Sequence, residues 1–317
     1  MLSNWSTALL LGFLKPSSET ATMPAQLTNL LTNDAIARLE RLRVKPHCHF
    51  TNRFTGSHQA RKGGTSTDFA DFRDYTPGDD MRFVDWNSFS RLHRPYIKLF
   101  HEEEITHFLV LIDGSKSMQF EGKFQRAKEL AAAFSLMALR HTERLSIQCL
   151  TQKPHRLLPC TGRASMNKVF TLLERLDEPD DTVPFEIAIE KALQHHSGRG
   201  IVILLSDFLT FGSLKRSFNA FFSSGLEILA LQLLGPTEID PDITSDFRLV
   251  DAELDENLDV SVSGDLLQFY QDHRLAYQEE LASLCQSRSG RFLSVSTEST
   301  LEGTLFDTLR RAGWVSQ

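Results

Sequence analysis

Residues 108 to 117 read Phe-Leu-Val-Leu-Ile-Asp-Gly-Ser-Lys-Ser, and this stretch decides the fold. An unbroken apolar run is typical of a central parallel strand, because such a strand is buried on both faces. Gly114 permits a sharp turn at the carboxyl end of the strand, where open α/β sheets place their ligands. The stretch therefore predicts a strand that delivers Asp113, Ser115 and Ser117 to the ligand-binding edge of an α/β sheet.

These three polar side chains are spaced two residues apart, which directs their oxygens to one side of an extended loop. A carboxylate and two hydroxyls suit Mg²⁺ or Mn²⁺ better than Zn²⁺. The alternative is that Asp113 and Ser115 only satisfy backbone N–H groups of a tight turn, and the turn by itself does not decide between the two. Helical spacing of apolar residues then predicts a helix from Lys123 to Leu139.

Downstream, apolar strand-like runs alternate with helical patterns, which predicts a mostly parallel sheet with helices on both faces. The further strands are expected at 145–150, 201–205, 228–234 and 291–295, and the further helices at 169–176, 185–193, 218–222, 265–287 and 301–311. Two short alternating runs, 247–252 and 258–262, predict a hairpin. Upstream we expect an amphipathic helix over 25–42, an exposed loop over 46–67 and a strand over 96–100.

Composition restricts the class of protein. The chain has 317 residues with a formal net charge of −7, which argues against a general nucleic-acid binder. Four cysteines without C-x-x-C spacing suggest free thiols in a reducing compartment. The apolar run from Trp5 to Leu14 is too short to span a bilayer and lacks the basic flank of a signal peptide, so we expect a cytoplasmic protein with no membrane span.

We expect three segments along the chain. Residues 1–22 are interpreted as a loose tail or a mis-called translation start, residues 23–100 as an N-terminal region of helix, loop and strand, and residues 101–317 as the α/β domain. A second predicted strand ends at Asp207, which would face the same edge as Asp113. Between them Thr182 offers another hydroxyl, although a plain N-cap explains it equally well, and Thr161 is a rival for the same role.

Two linked sets of residues resemble known families. Asp113, Ser115 and Ser117, followed by a later Thr and a later strand-end Asp, resemble the metal-ion-dependent adhesion site of von Willebrand factor A domains. The upstream segment resembles the bacterial family called domain of unknown function 58. Its matching residues are Phe72-Arg73-Asp74-Tyr75, Pro77-Gly78-Asp79-Asp80, Arg82, Asp85-Trp86, Ser90-Arg91 and Glu103 or Glu104.

The resemblance implies a von Willebrand factor A-like, Rossmann-type fold with a Mg²⁺ ion held directly by Ser115, Ser117 and Thr182. Asp113 and Asp207 would act through water or from outside the coordination shell. Neutral hydroxyls leave the ion's charge uncompensated, so that it attracts a carboxylate of a protein partner. The family context implies that this partner is a MoxR-type AAA+ ATPase that assembles or activates other complexes.

A non-catalytic binding module is therefore the favoured function, and a metal-dependent hydrolase of phosphate or peptide substrates is the alternative. A dehalogenase-like phosphatase would need an Asp where Ser115 stands. Ser165 and Lys168 fit the S-x-x-K pattern of acyl-enzymes, but helix capping by Ser165 explains them better. Carboxylates between Asp71 and Asp85 alternate with arginines, which predicts a buried Arg–Asp network under Trp86 rather than a second metal site.

Overall fold

The computed structural model describes residues 26–46, 69–100, 106–151, 155–177, 183–196, 198–209, 213–241, 247–250, 257–260 and 264–316. The strands are β1 Arg43–Val44, β2 Phe69–Asp74, β3 Tyr96–Phe100, β4 His107–Asp113, β5 Arg144–Leu150, β6 Arg156–Cys160, β7 Gly200–Ser206, β8 Leu226–Leu234, β9 Phe247–Val250, β10 Asn257–Val260, β11 Arg291–Ser296 and β12 Val315–Ser316. The α-helices are α1 Asn33–Leu39, α2 Trp86–Leu92, α3 Lys123–Arg140, α4 Met166–Glu174, α5 Phe185–Leu193, α6 Leu214–Ser223, α7 Pro236–Ile239, α8 Gly264–Gln286 and α9 Leu309–Arg311. The predicted tail over 1–22 and most of the predicted loop over 46–67 lie outside the described residues.

A six-stranded sheet forms the centre of the molecule, in the order β11-β8-β7-β4-β5-β6. Five of its strands are parallel, and the edge strand β6 runs antiparallel to β5. The predicted α/β class with a mostly parallel sheet and flanking helices is confirmed. β6 was not predicted, because it is only five residues long, contains Pro159 and is mostly exposed or half-buried.

The sheet is buried on both faces, as the apolar run in β4 predicts. Val110 and Ile112 belong to one core cluster, with residues from α1, α3 and α4. Leu109 and Leu111 belong to the other, with residues from α5, α6 and α8. Alternate residues of the strand thus enter two different cores, which explains the unbroken apolar run from Phe108 to Ile112.

The strand order reverses at β4. From β4 the chain continues to β5 on one side, and it later returns to place β7 on the other side. A crevice opens at such a switch point, outside the carboxyl ends of the parallel strands, and open α/β sheets bind their ligands there. Asp113 ends β4 and Asp207 directly follows β7, so the fold brings the two predicted carboxylates to this crevice.

The peripheral elements differ from the predictions in two places. The predicted helix over 25–42 is wrong in length: α1 begins after Thr32, whose hydroxyl accepts from the backbone N–H of Ala35, and it ends at Leu39. The predicted closing helix over 301–311 contains a π-helical segment, Gly303–Thr308. The predicted hairpin is confirmed as the antiparallel pair of β9 and β10.

Two short ladders complete the fold. β1 pairs with β12, and β2 pairs with β3. The first ladder joins the region before the sheet to the end of the chain, and buried α1 residues contribute to the same core as α3. Within the described part of the chain, no helix is both long enough and apolar enough to cross a membrane.

Candidate functional site

Asp113 links the two central strands at their carboxyl ends. Its side chain is buried, with 2% exposure. Oδ1 accepts a hydrogen bond from the backbone N–H of Ser115 at 2.9 Å, which shapes the turn after β4. Oδ2 accepts from the hydroxyl of Ser206, the last residue of β7. Asp113 therefore does satisfy a backbone N–H of its own turn, and it also connects that turn to the neighbouring strand.

Burial and, after it, the negative charge of Asp207 raise the pKa of Asp113 to about 6, against the lowering effect of hydrogen bonds from Ser206 and Ser115. Ser206, which donates to Asp113, directly precedes Asp207, so the two carboxylates lie at the ends of neighbouring strands on the same edge of the sheet. Two buried carboxylates that repel each other are an unfavourable arrangement unless a cation stands between or beside them. One such cation belongs to the protein itself, because the ammonium of Lys123 lies 2.7 Å from Oδ2 of Asp207.

Ser115 and Ser117 are half-buried, and their hydroxyl oxygens lie 3.0 Å apart. Neighbouring ligands of an octahedral Mg²⁺ ion, each about 2.1 Å from the metal, are about 3.0 Å apart. The two hydroxyls are thus already spaced as adjacent magnesium ligands would be. The donor set of two hydroxyls near two carboxylates consists of oxygen alone, which also fits Mg²⁺ or Mn²⁺.

Gly114 is required in this loop because the backbone passes close to β5. A Cβ atom at this position would lie 2.9 Å from the carbonyl oxygen of Leu150 and 2.4 Å from Cγ2 of Thr151. Such contacts are too short for any side chain to occupy. The glycine that the sequence marks as a turn residue therefore serves close packing, and its φ is not in the left-handed region.

Asp207 is completely buried, at 0% exposure, and both of its carboxylate oxygens accept hydrogen bonds. Oδ1 accepts from the backbone N–H of Leu209 at 3.0 Å, and Oδ2 accepts from Nζ of Lys123 at 2.7 Å. Gln232 of β8 donates to the backbone carbonyl of Asp207 at 3.1 Å. These contacts hold the carboxylate in one orientation at the end of β7.

The turn after Asp207 has an unusual backbone conformation. Phe208 has a φ of 60°, in the left-handed region that bulky residues seldom adopt. The hydroxyl of Ser206 accepts from its N–H at 2.8 Å, and Tyr277 of α8 donates its hydroxyl to its carbonyl at 2.6 Å. Strained conformations of this kind are kept where a site needs a particular geometry, and here the strain lies directly beside Asp207.

Lys123, the first residue of α3, has a side chain with 0% exposure. Its ammonium donates to Asp207 and also to Oε1 of Glu238, at 2.7 Å in each case. Burial by itself lowers the pKa of Lys123, but the two carboxylates outweigh that effect, so that the pKa lies above the ordinary value. The lysine is therefore a permanently charged cation inside the candidate site.

The structure does not describe Thr182, so the predicted third hydroxyl ligand lies outside the described residues. Its rival Thr161 lies at the wrong end of the sheet. Its neighbour Cys160 pairs with Leu145 near the start of β5, whereas Asp113 pairs with Leu150 at the end of that strand. The five residues of strand from Leu145 to Leu150 span about 16 Å, so Thr161 lies too far from Asp113 to belong to the same site.

Within the described ranges, no group of three or more His, Cys, Asp and Glu side chains is arranged to hold a metal ion. The five ligands predicted from sequence are a different set, since three of them are hydroxyls. The structure brings four of the five, Asp113, Ser115, Ser117 and Asp207, to the same sheet edge. Their role as metal ligands stays a prediction.

The predicted Arg–Asp network forms, but the prediction that it is buried under Trp86 is wrong. Arg73 makes a bidentate pair with Asp79, with bonds of 2.6 and 2.8 Å. Arg82 pairs with Asp80 in the same way at the surface. Trp86 is 56% exposed and covers neither pair. The guanidinium of Arg73 and the N–H of Thr76 hold the pKa of Asp79 well below its usual range.

The Ser165 prediction is also corrected. Ser165 does precede α4, but its hydroxyl makes no cap to the helix and donates instead to the carbonyl of Thr161 at 3.0 Å. Neighbouring Lys168 is exposed. The S-x-x-K pattern therefore has a local structural explanation that differs from the expected one.

The sequence analysis missed three residues of the site: Ser206, Lys123 and Glu238. Ser206 and Glu238 act through contacts with residues 93 and 115 positions away, for which the sequence holds no pattern. Lys123 did carry a signal, because a cation at the first position of a helix is electrostatically unfavourable and calls for a nearby anion.

Comparison with known proteins identifies the family. The family model described as "Protein of unknown function DUF58" matches residues 71–280, and the chain belongs to this family. Uncharacterized proteins of Mycobacterium bovis and Mycobacterium tuberculosis are each 24% identical to it over 255 residues, which cover 77% of this chain and 78% of theirs.

Solved structures are similar at a lower level. The conserved hypothetical protein BatB from Bacteroides thetaiotaomicron has a TM-score of 0.41 and 15% identity, covering 66% of this chain and 98% of its own. An aerotolerance-related membrane protein from Bacteroides fragilis also has a TM-score of 0.41 and 15% identity, covering 65% of this chain and 99% of its own.

Proposed function

We propose that the protein is a non-catalytic, Mg²⁺-dependent protein-binding module built on a von Willebrand factor A-like domain. Its ligands would be the hydroxyls of Ser115, Ser117 and Thr182, with Asp113 and Asp207 acting through water or from outside the coordination shell. Mn²⁺ is the alternative ion. The observation that carries the proposal is the 3.0 Å spacing of the Ser115 and Ser117 hydroxyls beside two buried carboxylates at the switch point of the sheet.

The chemistry of this donor set supports binding of a partner. A divalent ion attached to hydroxyls keeps most of its charge, so a coordination position that the protein leaves open attracts an anionic ligand. A Glu or Asp side chain of another protein has the matching charge and oxygen chemistry. Binding through one such carboxylate needs no reaction and makes the interaction dependent on the ion.

The contacts of the serines do not support nucleophilic catalysis. The hydroxyl of Ser115 lies 3.0 Å from that of Ser117, and the neighbouring carboxylate of Asp113 already accepts from the backbone N–H of Ser115 and from the hydroxyl of Ser206. Asp113 is engaged by Ser115 and Ser206, so its oxygens organise the loop. The remaining alternative is a hydrolase of phosphate or peptide substrates in which a metal-bound water reacts.

The proposed partner is a MoxR-type AAA+ ATPase that acts with the module in the assembly or activation of other protein complexes. This part rests on the family resemblance and on the expectation that an ion at the site binds a carboxylate. A cytoplasmic location, as predicted from the sequence, would place the module where such ATPases hydrolyse ATP.

Calorimetric titration of the purified protein with Mg²⁺ tests the metal site. We expect Ser115→Ala and Ser117→Ala each to weaken Mg²⁺ binding by about tenfold or more, since each removes a proposed ligand. Ser224→Ala is the matched control, because its hydroxyl donates to the carbonyl of Ala220 at the opposite edge of the sheet. No uptake of Mg²⁺ or Mn²⁺ by the unaltered protein would overturn the proposal.

Capture of a purified MoxR-type ATPase on the immobilised protein tests the partner. We expect capture to require Mg²⁺, to be abolished by EDTA and to fail with Ser115→Ala but not with Ser224→Ala. Metal-stimulated turnover of a simple phosphoester or peptide, lost in Asp113→Ala, would support the hydrolase instead.

A further inference from the structure

A buried ammonium group shares the candidate site with the proposed metal ligands. Lys123 Nζ lies 2.7 Å from Oδ2 of Asp207 and 2.7 Å from Oε1 of Glu238. Lys123 and Asp207 are both completely buried, and the side chain of Glu238 is 19% exposed. Asp207 is thus paired with a cation that belongs to the protein.

This placement of a lysine is costly in two ways. Lys123 is the first residue of α3, where the positive end of the helix dipole disfavours a cation. Complete burial removes the ammonium from water, a cost that an ion pair offsets only when its geometry is good. A core position filled by an apolar residue of similar volume would avoid both costs, so the lysine calls for an explanation beyond stability.

We propose that Lys123 sets the charge of the site, as a resident monovalent cation that neutralises Asp207. The inference rests on the proposed function and concerns how the site divides its affinity between the divalent ion and the partner. With Asp207 already paired, the site presents less negative charge to Mg²⁺. It therefore binds the ion more weakly than a site with two free carboxylates, and it leaves more of the ion's charge available to a partner's carboxylate.

The carboxylate of Glu238 also contacts the ammonium of Lys123 and offsets part of its positive charge. It lies in α7, directly after β8, and its second oxygen accepts from the backbone N–H of Gly235 at 2.7 Å. Its position next to the ammonium means that Lys123 and Glu238 act on a nearby divalent ion with opposite signs. Removal of the lysine charge should strengthen Mg²⁺ binding, and removal of the glutamate charge should weaken it.

Mg²⁺ titration of Lys123→Met and Glu238→Gln tests the inference, with Lys128→Met as the control. Lys128 lies five residues further along the same helix, and it donates to the backbone carbonyl of Leu176 at 3.4 Å. Even at the dielectric constant of water, a unit charge about 6 Å from a divalent ion changes its binding by about tenfold. We expect Mg²⁺ binding about tenfold tighter in Lys123→Met, severalfold weaker in Glu238→Gln, and unchanged within about twofold in Lys128→Met.

The two variants are expected to change Mg²⁺ affinity in opposite directions, and this distinguishes an effect of charge from structural damage. If Lys123 were only a structural ion pair, its loss would distort the site and weaken Mg²⁺ binding, as would the loss of Glu238. If Lys123→Met fails to fold, the milder Glu238→Gln still decides: unchanged or tighter binding there overturns the inference. If Lys123→Met folds and matches Lys128→Met, the inference fails while the proposed function stands. Absence of Mg²⁺ uptake by the unaltered protein overturns both.

Discussion

Replacement of Asp113 by Asn should stabilise the metal-free protein at neutral and alkaline pH. The carboxyl has an ordinary pKa of 3.8, and burial together with the charge of Asp207 raises it to about 6 in the fold. At 1.36 kcal/mol for each pKa unit, keeping this group ionised costs the folded state about 3 kcal/mol above pH 7. Asn has no charge to desolvate and still accepts the N–H of Ser115.

The sign of the pH dependence follows from linkage. Because the folded pKa is raised, the folded state holds the proton more tightly than the unfolded chain does. The contribution of Asp113 to stability is therefore most favourable below pH 3.8, declines between pH 3.8 and about 6, and is constant at higher pH. The difference in unfolding free energy between Asp113→Asn and the unaltered protein should grow over this window by up to about 3 kcal/mol.

Urea denaturation in EDTA at a series of pH values measures this difference, with the exposed Asp177→Asn as control. Saturating Mg²⁺ should then stabilise the unaltered protein more than Asp113→Asn, because only the unaltered protein also recovers the cost of the buried charge. A difference that does not vary with pH, or an Asp113→Asn protein that is less stable than the unaltered one at pH 8, would refute the reasoning.

Two further outcomes follow from packing. Gly114→Ala should destabilise the protein by about 1–3 kcal/mol, because the added methyl would meet the Leu150 carbonyl at 2.9 Å; thermal unfolding measures it, and an unchanged melting temperature would contradict the close packing. Burial raises the pKa of Cys285 to about 12, so only about one molecule in ten thousand carries its thiolate at pH 8. Native alkylation followed by mass spectrometry should leave Cys285 unmodified and, among the three cysteines that the structure describes, modify the half-buried Cys160 first; equal labelling rates of Cys160 and Cys285 would show that the Cys285 thiol is accessible.

The central sheet was predictable because each central strand is recognisable from its own consecutive residues. β4 and β7 contain unbroken apolar runs, over 108–112 and 201–205, and β8 is apolar apart from Glu227 and Gln232, as is typical of strands buried on both faces. The edge strand β6 is short, largely exposed and interrupted by Pro159, so its residues do not indicate a strand. Its pairing with β5 supplies the hydrogen bonds that define it, and that pairing is not visible in its own residues.

The length of α1 shows a different limit. Leu30 and Leu31 are buried and have the helical spacing that predicted a helix through them, yet they precede the cap at Thr32. An apolar residue indicates that its position is buried, but it does not indicate the backbone conformation at that position. Similarly, Arg73 and Asp79 pair as their alternation suggested, but the exposure of Trp86 depends on tertiary contacts that the segment does not reveal.

The residues of the candidate site also differ in whether local sequence or only long-range contacts reveal them. Asp113, Ser115 and Ser117 were recognised from spacing within one loop, and Asp207 from its position after a strand. Ser206 became visible only through a contact across 93 positions, and the partner of Lys123 only through a contact across 84 positions. These contacts are also the costly ones, because a buried lysine at a helix start and two neighbouring carboxylates each lower stability. An apolar core would be more stable here, so the polar cluster at the switch point marks a candidate functional site rather than a device for stability.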